Sequence, residues 1–395
     1  MKIRDCFDLN PPKNTSKYED YINYIDTSSV NKGSLDEITL LESEFPSRAQ
    51  RLVKTGDILY SSVRPNLRHY CIYRGNYDHV VASTGFILLR PKQECKDNPE
   101  FLYYFLTTNE VVKYLSGIAE ISQSTFPSFS AKDIGGIEIP DIDRITQDKI
   151  VEVISVYNEQ IEANSNRIRL LEKMMETIYR EWFVRYRFPG NNGKMSADGL
   201  PLGWERKHIS EYYDTSSGGT PSRKNDSFYE DGTIPWIKTG EMQDCLIIDT
   251  EEYITEEAVK RSSAKKIPAD SVMMAMYGVN IGKLAYTTVE ATCNQACCVF
   301  SDKYYTSSKH YLFQYLKSIR EYLLLIGFGA AQQNLSQDLI KKIKMVMPEK
   351  KVVDMFEETI EPLYSENRNL LYANANLIKQ RDLLLPRLMG KRIIV

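Results

Sequence analysis

Ten positions between Ile150 and Trp182 recur, without a gap, 206 residues later in this 395-residue chain. The first set is Ile150, Ile154, Tyr157, Ile161, Asn164, Ile168, Leu171, Met175, Ile178 and Trp182. Its gaps alternate between four and three, the a/d seam of a coiled coil. The second set is Phe356, Ile360, Leu363, Asn367, Leu370, Asn374, Leu377, Arg381, Leu384 and Leu388. Nine positions are apolar in the first copy and seven in the second, so the chain carries one amphipathic helix written twice. The polar members Asn164, Asn367, Asn374 and Arg381 weaken the seam but are suited to fixing its register.

The same displacement relates Ser130 to Ser336, Ile134 to Ile340 and Ile137 to Ile343. Further upstream it drifts to roughly 212, where Lys54–Leu59 faces Ile267–Val272, each a turn followed by a β-prone run. The order is a globular segment (1–140), a long helix (141–187), a second globular segment (188–345) and a second long helix (346–395). Pro189-Gly190-Asn191-Asn192-Gly193 stops the first helix, and Pro386 predicts an end or kink near Leu385. Short β-branched and aromatic runs (Tyr70–Tyr73, Phe86–Leu89, Val272–Met276) alternate with turn signals, and helical patterns fall near 99–115 and 308–325. The predicted fold is α+β: two mixed domains, each with a largely antiparallel sheet, joined by two long helices. If the halves obey a pseudo-two-fold, those helices form an antiparallel coiled coil that holds the domains at opposite ends.

Composition narrows the function. With 50 Lys+Arg against 53 Asp+Glu the formal charge is −3, which excludes a protein that coats nucleic acid by bulk charge. The longest dense apolar stretch, Tyr322–Phe328, is too short to span a bilayer, and the N-terminus has no apolar h-region. Seven scattered cysteines fit reduced thiols and a cytoplasmic location.

Basic charge is nevertheless concentrated locally. From Arg48 to Arg74 six cations (Arg48, Arg51, Lys54, Arg64, Arg68, Arg74) face one acid. From Val259 to Lys283 five (Lys260, Arg261, Lys265, Lys266, Lys283) again face one. The two runs occupy matching places in the repeat, as phosphate contact on two related surfaces requires.

Catalytic signatures are lacking. Asn10-Pro11-Pro12-Lys13 resembles the [ND]PP[YF] motif of amino-methyltransferases, but Lys13 cannot stack on a flipped base. There is no GxxxxGK[ST] phosphate loop, and the four histidines form no HExxH pattern. Cys293, Cys297 and Cys298 sit in an apolar run and read as buried thiols.

These residues resemble the specificity (S) subunits of type I restriction–modification systems. The resemblance rests on Leu170–Phe183 in the first helix, on Arg381–Leu388 in the second, and on Leu200-Pro201-Leu202-Gly203-Trp204. It also rests on Gly218-Gly219-Thr220-Pro221-Ser222 followed by Ile234-Pro235-Trp236-Ile237, and on Gln332–Ser336. The first domain lacks the LPxGW opening and the GGTPS–IPWI pair; its membership rests on the repeat, on Gly56-Asp57-Ile58-Leu59 and on the helix that follows.

The resemblance implies a non-catalytic reader of double-stranded DNA in which each globular segment is a target recognition domain for half of a split, asymmetric site. The helices, paired through the seam residues Ile154, Ile161, Ile168, Leu171, Ile178, Trp182, Ile360, Leu363, Leu370, Leu377, Leu384 and Leu388, would set the gap and dock two methyltransferase (M) subunits. No cofactor is expected in this chain; S-adenosylmethionine, ATP and Mg belong to the M subunits and to a separate restriction (R) subunit. Beside the phosphate-gripping cations, base-reading candidates are Arg64, Asn66, Arg68, Ser124 and Thr125 in the first domain. In the second they are Thr220, Ser222, Arg223, Lys238, Thr239 and Asn280. Two other readings remain open: a two-domain coiled-coil scaffold, and a self-sufficient DNA-modifying enzyme.

Overall fold

The computed structural model describes residues 1–11, 20–121, 127–303, 308–327 and 334–390. The chain divides into two compact units, Met1–Ile161 with Asn376–Val395, and Glu162–Ala375, so each long helix contributes to both.

In the first unit a four-stranded antiparallel sheet runs in the order Phe7–Leu9, Phe86–Pro91, Ile58–Ser61, Tyr70–Ile72. A second sheet runs Thr39–Leu41, Ile22–Ile25, Val80–Ser83, Ala49–Leu52, with Ile22–Ile25 and Val80–Ser83 parallel. Helices Pro99–Leu106 and Asn109–Ile121 close the apolar core. In the Gly56-Asp57-Ile58-Leu59 motif, Gly56 takes φ 91°, a conformation glycine adopts at no steric cost. The buried Asp57 accepts the Lys54 N–H at 2.7 Å and a forked Arg90 pair at 2.9 and 2.7 Å.

The second unit repeats this plan. Its five-stranded sheet runs Tyr213–Ser217, Cys297–Asp302, Val272–Ala275, Leu284–Thr287, Cys245–Ile247. A three-stranded sheet runs Tyr253–Ile254, Ile234–Ile237, Thr292–Cys293, and the last pair is again parallel. Even single bonds recur at the 206-residue displacement: Ile3 N–H donates to Ile137 O at 3.0 Å, and Ile209 N–H to Ile343 O at 2.8 Å. Sheets are mostly antiparallel in both units, as the turn spacing predicts.

The first long helix spans Arg144–Tyr179 and ends in one π turn, Arg180–Val184; the second spans Lys350–Met389. In each unit they pair antiparallel. Within the first, Ile150 and Ile154 share a core with Leu385 and Leu388, and Arg381 donates to Asn158 at 2.8 Å. Within the second, Asn164 bonds Asn374, Arg167 pairs with Glu366 at 3.0 Å, and Trp182 packs edge-on against Phe356. Asn367 is buried in the same seam.

The helix does not end at Pro386. The helix runs on to Met389, and Gly390 N–H still reaches Pro386 O at 3.0 Å. A proline inside a helix costs about 3 kcal/mol or more. Leu385 and Leu388, 6% and 3% exposed, offset it at about 1.5–3 kcal/mol of burial each.

Candidate nucleic-acid interface

Strand reversal divides the basic run of the first domain. Ala49–Leu52 lies antiparallel to Val80–Ser83, and Phe86–Leu89 antiparallel to Ile58–Ser61. Thr84 N–H donates to Arg48 O at 2.8 Å and Ser62 N–H to Gly85 O at 2.9 Å, so Arg48 and the loop holding Arg64, Asn66 and Arg68 share one end of the strands. Lys54 and Arg74 lie at the other, where Gly56 N–H bonds Tyr73 O at 2.8 Å. Arg48 pairs with Asp26 at 3.3 Å and Arg74 with Glu100 at 3.0 Å. Arg51 is half-buried mid-strand; desolvation lowers its pKa from the usual guanidinium value. Asn66 and Arg64 are exposed, and Arg68 reaches the Asn109 carboxamide. Ser124 and Thr125 lie outside the described residues.

In the second domain the GGTPS and IPWI motifs form one assembly. A Cβ on Gly218 would stand 1.9 Å from Cys293 O, and one on Gly219 would stand 2.2 Å from Ser263 Oγ, so only glycine admits this approach. Trp236 Nε1–H donates to Gly219 O at 3.0 Å, and Tyr229 O–H to Pro221 O at 2.7 Å. The Arg223 guanidinium lies 4.3 Å over the Tyr229 ring and 5.1 Å from that of Trp236. Glu252 joins Arg223 at 2.6 Å to Lys238 at 2.9 Å. Asn280 Nδ2–H donates to Thr239 O at 2.8 Å, tying the loop after Val272–Ala275 to the same place, and Thr220 O–H bonds Gln295. The structure thus brings Thr220, Arg223, Lys238, Thr239 and Asn280 together, with Ser222 exposed beside them. Asn280 spends its amide on bracing.

The cations of the second run are largely engaged. Arg261 pairs with Glu257 at 2.7 Å, Lys266 with Glu256 at 2.7 Å and Glu290 at 3.3 Å, and Lys283 with Asp244 at 3.1 Å. Lys260 and Lys265 are exposed. The exposed Arg261 and Lys266 pairs are worth about 0–1 kcal/mol, so a phosphate can exchange for the carboxylate at small cost, whereas Asp244 is mostly buried and also held by Arg320.

The seam residues face inward. Ile154, Ile168, Leu171, Trp182, Ile360 and Leu388 are buried, while Ile161, Ile178, Leu363, Leu370, Leu377 and Leu384 are partly so. Tyr364 and Leu385 are more deeply buried than their neighbours Leu363 and Leu384, a one-residue shift of the buried stripe. Exposed apolar positions on the helices include Ile145, Val156, Leu170, Met174 and Leu383. Trp204 of the Leu200–Trp204 motif stacks on Phe188 and meets Phe183, which explains why that motif and the helix end occur together.

Two titratable clusters escape sequence reasoning because their members are far apart in the chain. Lys309 bonds Asp270 at 3.0 Å and Glu361 at 3.1 Å, and His310 Nε2 lies 3.0 Å from Glu361. The His310 bond, then Lys309, holds the Glu361 carboxyl down at about 2. Cys6, Cys95 and Asp97 place three metal-capable groups together. Cys6 donates to the Asp97 carboxylate and Cys95 to the Asp97 carbonyl, each at 3.6 Å, so the cluster is closed on itself. Cys293, Cys297 and Cys298 are buried free thiols. Among the described residues, no helix is long and apolar enough to cross a membrane.

A model of the family described as type I restriction modification DNA specificity domain matches residues 1–173 and again residues 201–361. The chain is 26% identical to the type I restriction enzyme HindI specificity subunit of Haemophilus influenzae, over 96% of this chain and 97% of that one. It is 24% identical to the MjaIX specificity subunit of Methanocaldococcus jannaschii, covering 96% and 84%. Among solved structures, the S subunit of a type I restriction–modification system from M. genitalium matches with a TM-score of 0.57 at 14% identity, covering 98% and 95%. That likeness is one of fold.

Proposed function

The chain belongs to the family of type I restriction–modification DNA specificity domains, and on that premise we propose how it reads its target. It is the specificity subunit of a type I system. Each globular segment recognises one half of a bipartite, asymmetric site in double-stranded DNA. The chain itself is non-catalytic: two M subunits, docked at repeat-equivalent places on the helices, use S-adenosylmethionine to methylate adenines. R subunits join through the complex and supply ATP- and Mg-dependent restriction. The assembly works in the cytoplasm.

The observation that carries this reading is a repeated scaffold with different surfaces. Both units hold the same parallel pair between strands, Ile22–Ile25 with Val80–Ser83 and Ile234–Ile237 with Thr292–Cys293. Yet the residues at the equivalent strand ends differ: Asp26 and Arg48 in one, Lys238, Glu252 and Arg223 in the other. One architecture with two chemistries suits two unlike half-sequences, since phosphate contacts set position and base edges set identity.

The test is a genome-wide map of methylated adenines with the M partner present. A single two-part motif is expected, and replacing residues 188–345 by another family member's segment should change one half alone. A motif that changes in both halves, or methylation without any motif, overturns the reading. Methylation or cleavage by the purified chain alone would favour the self-sufficient enzyme instead.

A further inference from the structure

The loops that follow Ile58–Ser61 and Val272–Ala275 are the same loop in two versions. Each is pinned at its base by a matching strand bond, Ser61 N–H to His69 O at 2.8 Å and Ala275 N–H to Lys283 O at 2.9 Å. Each is braced by a later segment: Phe129 N–H donates to Ser62 O at 3.1 Å, and Leu335 N–H to Met276 O at 2.8 Å. Inside, Leu67 N–H bonds Arg64 O at 2.9 Å, and Ile281 N–H bonds Gly278 O at 3.2 Å. Both loops turn through left-handed backbone at two matching positions, Arg64 (φ 47°) and Arg68 (φ 60°) against Gly278 (φ 89°) and Gly282 (φ 76°).

The second domain therefore supplies the control for the first. Glycine makes this turn freely; arginine makes it against its Cβ. Side chains held in a disfavoured conformation point to a task other than the turn. For Arg68 the task is anchoring. Its guanidinium reaches Asn109 at the start of helix Asn109–Ile121, as Arg320 reaches Gly282 O at 3.0 Å in the other domain. Arg64 stands exposed at the far side of the turn. At the tip of the glycine version Val279 is 100% exposed, while Asn280 fastens the loop to Thr239 and Gly240 at 2.8 and 3.2 Å.

We propose that these two loops are the base-reading elements: Arg64 reads a guanine through its forked donors, and Val279 contacts a thymine methyl, each from the major groove. This rests on the DNA-reading function proposed above. Guanine offers O6 and N7 to a bidentate arginine, and thymine is the one base with a methyl in that groove. Arg48, on the same end of the strands as Arg64, is placed for the neighbouring phosphate.

The experiment uses the full chain assembled with its M subunits, mapping methylated motifs and measuring binding to duplexes carrying the mapped site. Arg64→Gly suits the left-handed backbone, so assembly should persist. Affinity for the cognate duplex should fall about 10–100-fold, and one guanine position in one half should become degenerate. Arg64→Lys, which keeps the charge without the fork, should relax the same position. Val279→Ser should relax a thymine-containing position in the other half only. An unchanged motif in Arg64→Gly, or a uniform loss across all sequences, overturns the assignment. A wild-type complex that methylates without sequence preference takes down the reader function itself, which separates the two failures.

Discussion

Asn164 Nδ2 donates to Asn374 Oδ1 at 2.8 Å between the two long helices, and both side chains are buried. Asn374 in turn donates to Ser165 Oγ at 3.2 Å. A buried amide pair tolerates no slip along the seam, because a shift leaves both groups unsatisfied. Asn374→Ala should therefore cost about 1–3 kcal/mol, whereas Asn164→Leu with Asn374→Leu should be nearly neutral. Thermal unfolding of Asn164→Leu, Asn374→Leu and the double checks this, and additive losses would show that the pair is not coupled.

Among the described residues of the second domain, Gly218 makes the closest approach to backbone. Gly218→Ala would push a Cβ to within 1.9 Å of Cys293 O, so the strand or the loop must move. The expected loss is about 1–3 kcal/mol or more. Gly240→Ala, at a position with nothing within 4 Å, is the control and should leave the melting temperature almost unchanged. Equal effects at the two sites would remove the steric account of the GGTPS motif.

Acid stability should depend on Glu361. Its folded pKa of about 2 lies below the unfolded carboxylate value of about 4.3. A depressed acid contributes its stability above the unfolded value and loses it as pH falls through the folded one. Its side chain is 45% exposed, so solvent screens part of the effect. Glu361→Gln should melt lower than wild type at neutral pH, and the difference should shrink steadily between about pH 4.3 and about pH 2. Burial pushes Glu357 and Glu172 the other way, so neither contributes to that limb. A difference constant with pH would mean that packing, not charge, is what Gln disturbs.

What the sequence makes legible is what is local or periodic. The seam could be read because a/d spacing is a property of one helix, and the repeat because both copies keep it. Basic residues were harder: consecutive numbers from Arg48 to Arg74 cross three strands, and each reversal carries the chain to the opposite end of the sheet. Asn280 looks like a base reader by type and position, yet its amide is consumed by two carbonyls about 40 residues away in the chain. The Lys309–Glu361 and Cys6–Asp97 contacts leave no trace in spacing at all. Pro386 marks no helix end because a local rule, a missing N–H, is outweighed by long-range burial of Leu385 and Leu388.

The helix pair also makes a length prediction. Thirty-six α-helical residues from Arg144 to Tyr179 extend about 54 Å at about 1.5 Å each. Because the seam is antiparallel, adding four residues after Ser165 and four after Leu371 keeps the pairs on either side, Asn164 with Asn374 among them. Each insertion adds about 6 Å, close to two base-pair steps of about 3.4 Å. With matched insertions the unread gap in the methylated motif should widen by about two base pairs while both half-sequences stay the same. An insertion in one helix alone shifts one side of the seam by about a turn against its partner, so pairs such as Asn164 with Asn374 lose register and assembly with the M subunits should weaken. Mapping the motif after each change decides the matter: a gap that ignores matched insertions would mean that something other than these helices sets it.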